Sequence, residues 1–225
     1  MEAVAEQLRT ALLVGGSGLV GRSCLQALLD DPAYGSVILL GRRELSLAPN
    51  PKLSQRVLPL ENLASLELPP IDDAFCALGT TIRKAGSQDA FRHVDYEMPL
   101  AAADHALKSG AKQFVLVSSI GADAKSKNFY LRIKGELEDS LRRLPFRSLH
   151  LFRPSLLLGK REEFRLGEVL AIGAARLPQF LMVGSLRPYH PIPASVVGRA
   201  MVSAAKTPAS GSYVYEYNQI VALAA

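Results

Sequence analysis

The chain has 225 residues, of which 48% are hydrophobic and 21% charged, so it carries a full core in one domain, 1–225, and does not read as disordered. Its apolar runs are too short and interrupted to span a bilayer, and the acidic start Met1-Glu2-Ala3-Val4-Ala5-Glu6 lacks a secretory hydrophobic region, so a cytoplasmic protein is expected. The net charge of +5 comes from dispersed basic residues, clustered only in pairs such as Arg42-Arg43 and Arg142-Arg143, and aromatics are 7%, which disfavours nucleic acid as a partner.

The first element is an apolar run, Ala11 to Val14, which reads as a buried strand. A glycine turn follows, and Leu19 to Leu29 reads as an amphipathic helix. Two spacings fit the turn: Gly16, Gly18 and Gly21 as G-x-G-x-x-G, or Gly15, Gly18 and Gly21 as G-x-x-G-x-x-G. In either, glycine leaves the strand in a conformation side chains forbid. The backbone then approaches a pyrophosphate, and the helix N-terminus offers N–H groups and positive dipole to it. Strand, turn and helix in this order predict a dinucleotide-binding unit.

Ser36 to Leu40 is the second strand, and its apolar character predicts a parallel strand buried on both faces. It ends in Gly41-Arg42-Arg43. An acidic residue there would bond the ribose 2′-hydroxyl of NAD; arginines suit the 2′-phosphate of NADP, and are otherwise two exposed loop residues. Leu47 to Ser54 reads as a loop, Gln55 to Leu60 as an edge-like third strand, and Leu63 to Pro70 as weakly helical. Ile71 to Leu78 is the fourth strand; Leu78, Gly79 and Thr80, at the carboxyl end of a central strand, lie where a cofactor would sit. Ile82 to Ala90 reads as a loop. Phe91 to Ser109 reads as a long helix, broken near Met98 by Pro99 and ended by Gly110.

Lys112 to Val117 is the fifth strand, ending in Ser118-Ser119, and Gly121 to Lys127 is a polar loop. Asn128 to Leu144 is helical, and Arg147 to Phe152 is the sixth strand, followed by Arg153-Pro154. Glu162 to Leu177 reads as a helix, 178–193 as irregular with four prolines, and Ala194 to Lys206 as a helix. The tail from Gly211 adds a strand with Tyr213, Tyr215 and Tyr217 on one face. The pattern is α/β: a doubly wound parallel sheet of Rossmann type, with 154–225 a small, mostly helical part on the substrate side. Cys24 and Cys76 read as reduced core thiols, and His93, His105, His150 and His190 have no metal-ligand spacing, so no metal is expected.

Three features converge at the carboxyl ends of the central strands: the glycine turn, Ser118-Ser119, and Tyr130 with Lys134. Tyr130 and Lys134 are four apart and share a helix face. By itself that spacing also fits a surface pair. In combination, the Lys134 ammonium would favour the ionised Tyr130 hydroxyl, letting it exchange a proton with a carbonyl or alcohol. Lys134 would also bond the nicotinamide ribose, and a serine would hold the substrate oxygen.

These motifs, with Arg153-Pro154, resemble the short-chain dehydrogenase/reductase superfamily in its extended or atypical branch, over nearly the whole chain. More narrowly, the chain is similar to the Tat-interacting-protein group of NADPH-binding, reductase-like proteins. That similarity rests on Gly41-Arg42-Arg43, Leu78-Gly79-Thr80-Thr81, Lys84-Ala85-Gly86, Val94-Asp95-Tyr96, Ser118-Ser119-x-Gly121-Ala122-Asp123, Asn128-Phe129-Tyr130 and Lys134-Gly135-Glu136. The resemblance implies a cofactor cradle of Gly15, Ser17, Gly18, Leu19, Val20 and Gly21. Arg42 and Arg43 would lie on the adenosine phosphate, and Leu78, Gly79 and Thr80 along the cofactor. Leu157 and Arg165 would be later contacts. Tyr130 and Lys134 would be the acid/base pair, with Ser119 the third catalytic residue. The asparagine that many relatives place before the fifth strand is Asp95 here. The implied function is an NADP(H)-dependent oxidoreductase of a small carbonyl or alcohol. The alternative is an NADPH-binding regulatory protein that works through a protein partner, and a homodimer is compatible with either.

Overall fold

A computed structural model of the chain describes residues 8–59, 66–159, 184–207 and 210–225. Strands β1 (Arg9–Val14), β2 (Tyr34–Gly41), β3 (Leu53–Val57), β4 (Asp73–Cys76), β5 (Gln113–Val117), β6 (Ser148–Phe152) and β9 (Gly211–Tyr215) form one sheet. Its order is β3-β2-β1-β4-β5-β6-β9, and every ladder is parallel. The chain winds outward from β1 to β3, crosses back, and winds the other way from β4. The switch point therefore lies between β1 and β4, where parallel sheets open a crevice at their carboxyl ends. A separate two-stranded ladder joins β7 (Leu157–Leu158) to β8 (Ile192–Pro193).

The described helices are α1 (Leu19–Asp30), α2 (Ile82–Ala85), α3 (Gln88–Arg92), α4 (Met98–Lys108), α5 (Phe129–Arg142), α6 (Ala194–Lys206) and α7 (Tyr217–Leu223). The period-two alternation of a strand sorts the core into two layers. Ala11 and Leu13 of β1, with Val37, Leu39, Phe75 and Val115, face α1 and α6. Leu12 and Val14, with Ile38, Leu40, Cys76 and Leu116, face α4 and α5. The two buried helices of the first layer cross closely. A Cβ on Gly198 of α6 would stand 2.6 Å from the Cys24 nitrogen of α1. Of the stretch 154–225, then, α6 and β9 build the main layers. Cys24 and Cys76 are buried free thiols, as expected.

Pro99 breaks the predicted long helix in a specific way. Residues His93–Glu97 form a π-helical turn between α3 and α4, with the Met98 N–H bonded to the His93 carbonyl. Pro99 cannot donate to Asp95, four residues back, and its ring would strike that carbonyl; the wider turn removes the conflict. The predicted loop 82–90 instead holds two short helices. Thr81 Oγ1 accepts the Lys84 N–H at 3.1 Å, Gly86 ends α2 at φ +87°, and Ser87 Oγ accepts the Ala90 N–H at 3.1 Å. Residues 66–70 are not helical, since Pro69 and Pro70 remove two donors. The third strand begins earlier than expected, at Leu53, and ends at Val57. The irregular stretch contains a 3-10 turn, Gly184–Tyr189, and β8. Tyr217 leaves the tyrosine alternation because Glu216 and Gln219 cap α7 reciprocally. The helix expected over 162–177 lies outside the described residues.

The strands are not wholly apolar. At their amino ends, away from the crevice, Asp73 is fully buried and ion-paired to Arg9 at 2.6 Å. It also accepts from Tyr34 Oη at 2.8 Å and Gln113 Nε2 at 3.0 Å. Gln113 Nε2 and Arg9 both donate to the Ala205 carbonyl, closing the end of α6. His150 bridges Gln113 Oε1 at 3.2 Å and Tyr215 Oη at 2.9 Å. Each buried polar atom in this chain of contacts finds a partner, which is what makes its burial tolerable.

Candidate cofactor and proton-transfer site

The glycine turn occupies the crevice between β1 and β4. Gly15 has φ +88°, and a Cβ there would lie 2.6 Å from the Ala77 carbonyl carbon. Gly18 donates to the Gly15 carbonyl at 3.0 Å and caps α1 with extended backbone. A Cβ on Gly21 would stand 2.1 Å from that same carbonyl oxygen. Gly16 meets only the end of the Leu39 side chain. The backbone contacts thus demand glycine at Gly15 and Gly21, which selects Gly15-x-x-Gly18-x-x-Gly21 over the spacing through Gly16. Among the described residues no side chain caps the start of α1, and its first turn has no acidic residue. Its N–H groups are consequently available to an anion. Ser17 and Leu19 are half-buried at this opening, whereas the Val20 side chain points into the core, leaving only its backbone for a ligand.

Val14 pairs with Leu40, so Gly41 and the two arginines beyond it run beside the turn. Arg42 and Arg43 are exposed and make no ion pair with any described residue. Leu78, Gly79 and Thr80 are half-buried just past β4, on the other side of the turn. Leu157 packs on the same core as Leu19, and a Cβ on Gly159 would lie 2.7 Å from Leu19 Cδ2, so this segment passes over the start of α1. Arg165 lies outside the described residues.

Helix α5 brings the titratable groups. Asn128 Oδ1 accepts the Leu131 N–H at 3.2 Å and fixes its start. Gly135 lets the helix press on the preceding loop; a Cβ there would be 2.1 Å from the Ala124 nitrogen. Tyr130 is half-buried, its ring 5.6 Å from that of Phe91. One turn on, Lys134 is buried, its Nζ 2.8 Å from Asp95 Oδ1. Asp95 Oδ2 accepts the Thr80 N–H at 2.8 Å. Burial works against the Lys134 ammonium, but Asp95 and then Tyr130 outweigh it and hold its pKa above the ordinary lysine value. Burial also pushes the neighbouring Cys76 thiol up to about 11, leaving it unreactive.

The two serines part company. Ser118 is buried and donates to Glu138 Oε1 at 2.5 Å. Ser119 is half-buried, with one long contact of 3.3 Å to the Ile120 carbonyl, and is the serine left for a ligand. Glu138 is fully buried and also holds Arg153, through Nε at 2.9 Å and Nη2 at 2.5 Å. Arg153-Pro154 is therefore tied to α5. Sequence reasoning did not assign Glu138 or give Asp95 a partner. The signal for Glu138 was present: Tyr130, Lys134 and Glu138 recur every four residues, one stripe of the helix.

A doubly wound parallel sheet, with a glycine turn at its switch point and this helix beside it, defines an NAD(P)-binding fold of the short-chain dehydrogenase/reductase kind. Solved structures agree on the fold. The human epimerase family protein SDR39U1, solved with NADPH, superposes with a TM-score of 0.63 at 19% identity, covering 92% of this chain and 74% of its own. The HIM1 family model matches residues 47–182, and the chain belongs to that family. It is 37% identical over 214 residues to Protein HTATIP2 of Rattus norvegicus, covering 91% of this chain and 84% of that one. It is 34% identical over 203 residues to the FMP52-1 protein of Scheffersomyces stipitis, covering 87% and 83%. These relatives correct the expected cytoplasmic location, because the fungal proteins among them are named mitochondrial. An acidic start without a secretory hydrophobic region does not identify a compartment. Among the described residues no helix is long and apolar enough to cross a membrane, and no cluster of potential metal ligands occurs.

Proposed function

We propose that the protein is an NADP(H)-dependent oxidoreductase acting on a small carbonyl or alcohol. The observation that carries this reading is the buried Lys134 ammonium, one helical turn from Tyr130 and beside the crevice that holds the glycine turn. The chain's own residues fit the cofactor. Gly15 and Gly21 keep clear the space a Cβ would fill, and the open N-terminus of α1 receives the pyrophosphate. Arg42 and Arg43 meet the 2′-phosphate, and Lys134 the nicotinamide ribose. Leu78, Gly79, Thr80 and Leu157 flank the dinucleotide. NADPH, when bound, supplies the hydride. Tyr130 gives its hydroxyl proton to the substrate oxygen in reduction and takes it back in oxidation. Lys134 sets positive charge next to that hydroxyl, and Ser119 donates to the same substrate oxygen. Of residues 154–225, the segment around Leu157 lies on the cofactor side, while α6 and β9 belong to the core.

A second reading has its own support. The Lys134 charge is already matched by Asp95, which suits a protein that holds NADPH and signals its presence to a protein partner. One assay separates the two: NADPH consumption over a panel of aldehydes and ketones, wild type against Tyr130→Phe. The enzyme reading expects turnover that falls about 100- to 10,000-fold in the variant. NADPH binding with no turnover, or a rate the variant leaves unchanged, overturns it in favour of the regulatory reading. Cofactor choice is tested by Arg42→Ala, which should weaken NADPH about 10- to 100-fold and leave NADH nearly unchanged. Equal losses would remove the 2′-phosphate contact.

A further inference from the structure

Lys134 and Asp95 have side-chain exposures of 4% and 0%. Either charge alone would be strongly disfavoured there, since burying an ion costs several kcal/mol even after the protein relaxes. They are compatible because Nζ and Oδ1 approach to 2.8 Å. The other carboxylate oxygen is also engaged, by the Thr80 N–H at 2.8 Å. Three separate parts of the chain thus meet on one side chain: α5 through Lys134, the segment after β4 through Thr80, and the π turn that carries Asp95. That turn has a role here beyond relieving Pro99, because it is the element that carries Asp95.

We infer that Asp95 is the positioning residue of the site, tying the Lys134 ammonium to the Thr80 backbone so that the lysine is charged and aimed before any cofactor arrives. The inference rests on the reading of Lys134 as the partner of Tyr130 and of the cofactor. The groups facing the pair are few. Tyr130 comes from α5, Cys76 from β4, and the Thr80 N–H from the segment after it. Within the π turn, His93 and Glu97 pair with each other at 2.8 Å near the surface. Arg92, just before it, pairs with Glu136 at 2.6 Å. Among these facing groups Asp95 is the carboxylate at Lys134. A lysine fixed in this way loses little freedom when a ligand binds, which is the advantage of a preorganised contact.

The test is a pH titration of lysine side chains by NMR in cofactor-free protein, with Lys134 assigned from Lys134→Gln. In wild type the Lys134 signal should keep its charged-form position beyond the pH at which the surface lysines titrate. In Asp95→Asn, which preserves shape and removes charge, its midpoint should fall by about one pH unit or more. The Thr80 amide should also exchange with solvent about tenfold faster or more, as its partner weakens. A wild-type Lys134 that titrates with or below the surface lysines overturns the inference, as does a midpoint that Asp95→Asn leaves in place. The wild-type titration decides by itself if the variant does not fold. NADPH titrated into the same wild-type sample tests the parent reading separately. No binding beside a fully charged Lys134 sinks the cofactor reading alone; binding beside a low Lys134 midpoint sinks the role of Asp95 alone.

Discussion

Glu138→Ala should be among the most damaging single substitutions in the chain. The carboxylate has no exposure and accepts from Ser118 Oγ at 2.5 Å, Arg153 Nε at 2.9 Å, Arg153 Nη2 at 2.5 Å and Arg142 Nη2 at 3.1 Å. The Arg142 contact counts for little, because that side chain is 34% exposed and an accessible pair contributes about 0–1 kcal/mol. Arg153 is different. It is 20% exposed, so the alanine variant would leave a mostly buried guanidinium without its counter-charge. Breaking such a pair from one side costs about 3–5 kcal/mol. For a domain of this size that corresponds to roughly 6–20 °C in Tm. Glu138→Gln keeps the shape and one accepting oxygen, and should lose less than the alanine variant. Urea and thermal unfolding of wild type, both variants and Arg153→Met measure these losses, and a double-mutant cycle with Glu138→Ala and Arg153→Met should give a coupling above about 1 kcal/mol. A loss below about 1 kcal/mol in Glu138→Ala, with no coupling, would refute the argument that Arg153 depends on it.

Two further outcomes can be checked together. Gly21→Ala puts a methyl group 2.1 Å from the Gly15 carbonyl oxygen, a backbone atom that cannot swing away. Isothermal titration should show NADPH binding lost or weakened by more than about tenfold, because the pyrophosphate cradle must open; unchanged affinity would exclude this turn as the cradle. The buried network at the opposite end of the sheet predicts opposing pH dependences. Burial pushes the Asp73 carboxyl up to about 6, against Arg9 and Tyr34, so the folded state takes this proton more readily and gains stability as pH falls from about 6 towards 4. Burial pushes His150 down to about 4, so the unfolded chain takes that proton first and stability is lost as pH falls from 6.5 towards 4. Denaturation at pH 6.5, 5 and 4 should show His150→Gln gaining stability on acidification relative to wild type, and Asp73→Asn losing it. Parallel curves for all three proteins would rule the network out as the cause.

The legible parts of the sequence were those where one residue type has one physical use. Gly15, Gly18 and Gly21 marked the crevice, although sequence left two spacings open and only the backbone of Gly15, at φ +88° and against the Ala77 carbonyl, decided between them. Pro99 marked the break, but not that a π turn would form it. The short helices α2 and α3 were missed despite Thr81, Gly86 and Ser87. Caps are recognised mainly when an apolar period follows, and four- or five-residue helices have none. The roles of Asp95 and Glu138 were out of reach for a different reason. A buried carboxylate and an exposed one look alike in sequence, and the partners of these two come from separate elements.

The parallel sheet also governs how the chain must assemble. No neighbouring strands can be closed by a hairpin, so each pairing waits for a crossover. The β6–β9 ladder joins Ser148 to Gly211 and runs to Phe152 against Tyr215. Until β9 arrives, His150 lacks the stacked rings of Tyr213 and Tyr215 and the hydroxyl that accepts or donates at its Nδ1. Non-local pairings of this kind place folding in the slower range, milliseconds or longer, rather than microseconds. The crevice between β1 and β4 lies three ladders inward from that edge. The cradle and this outer edge share no ladder, so loss of the β6–β9 pairing breaks no pairing of β1 or β4.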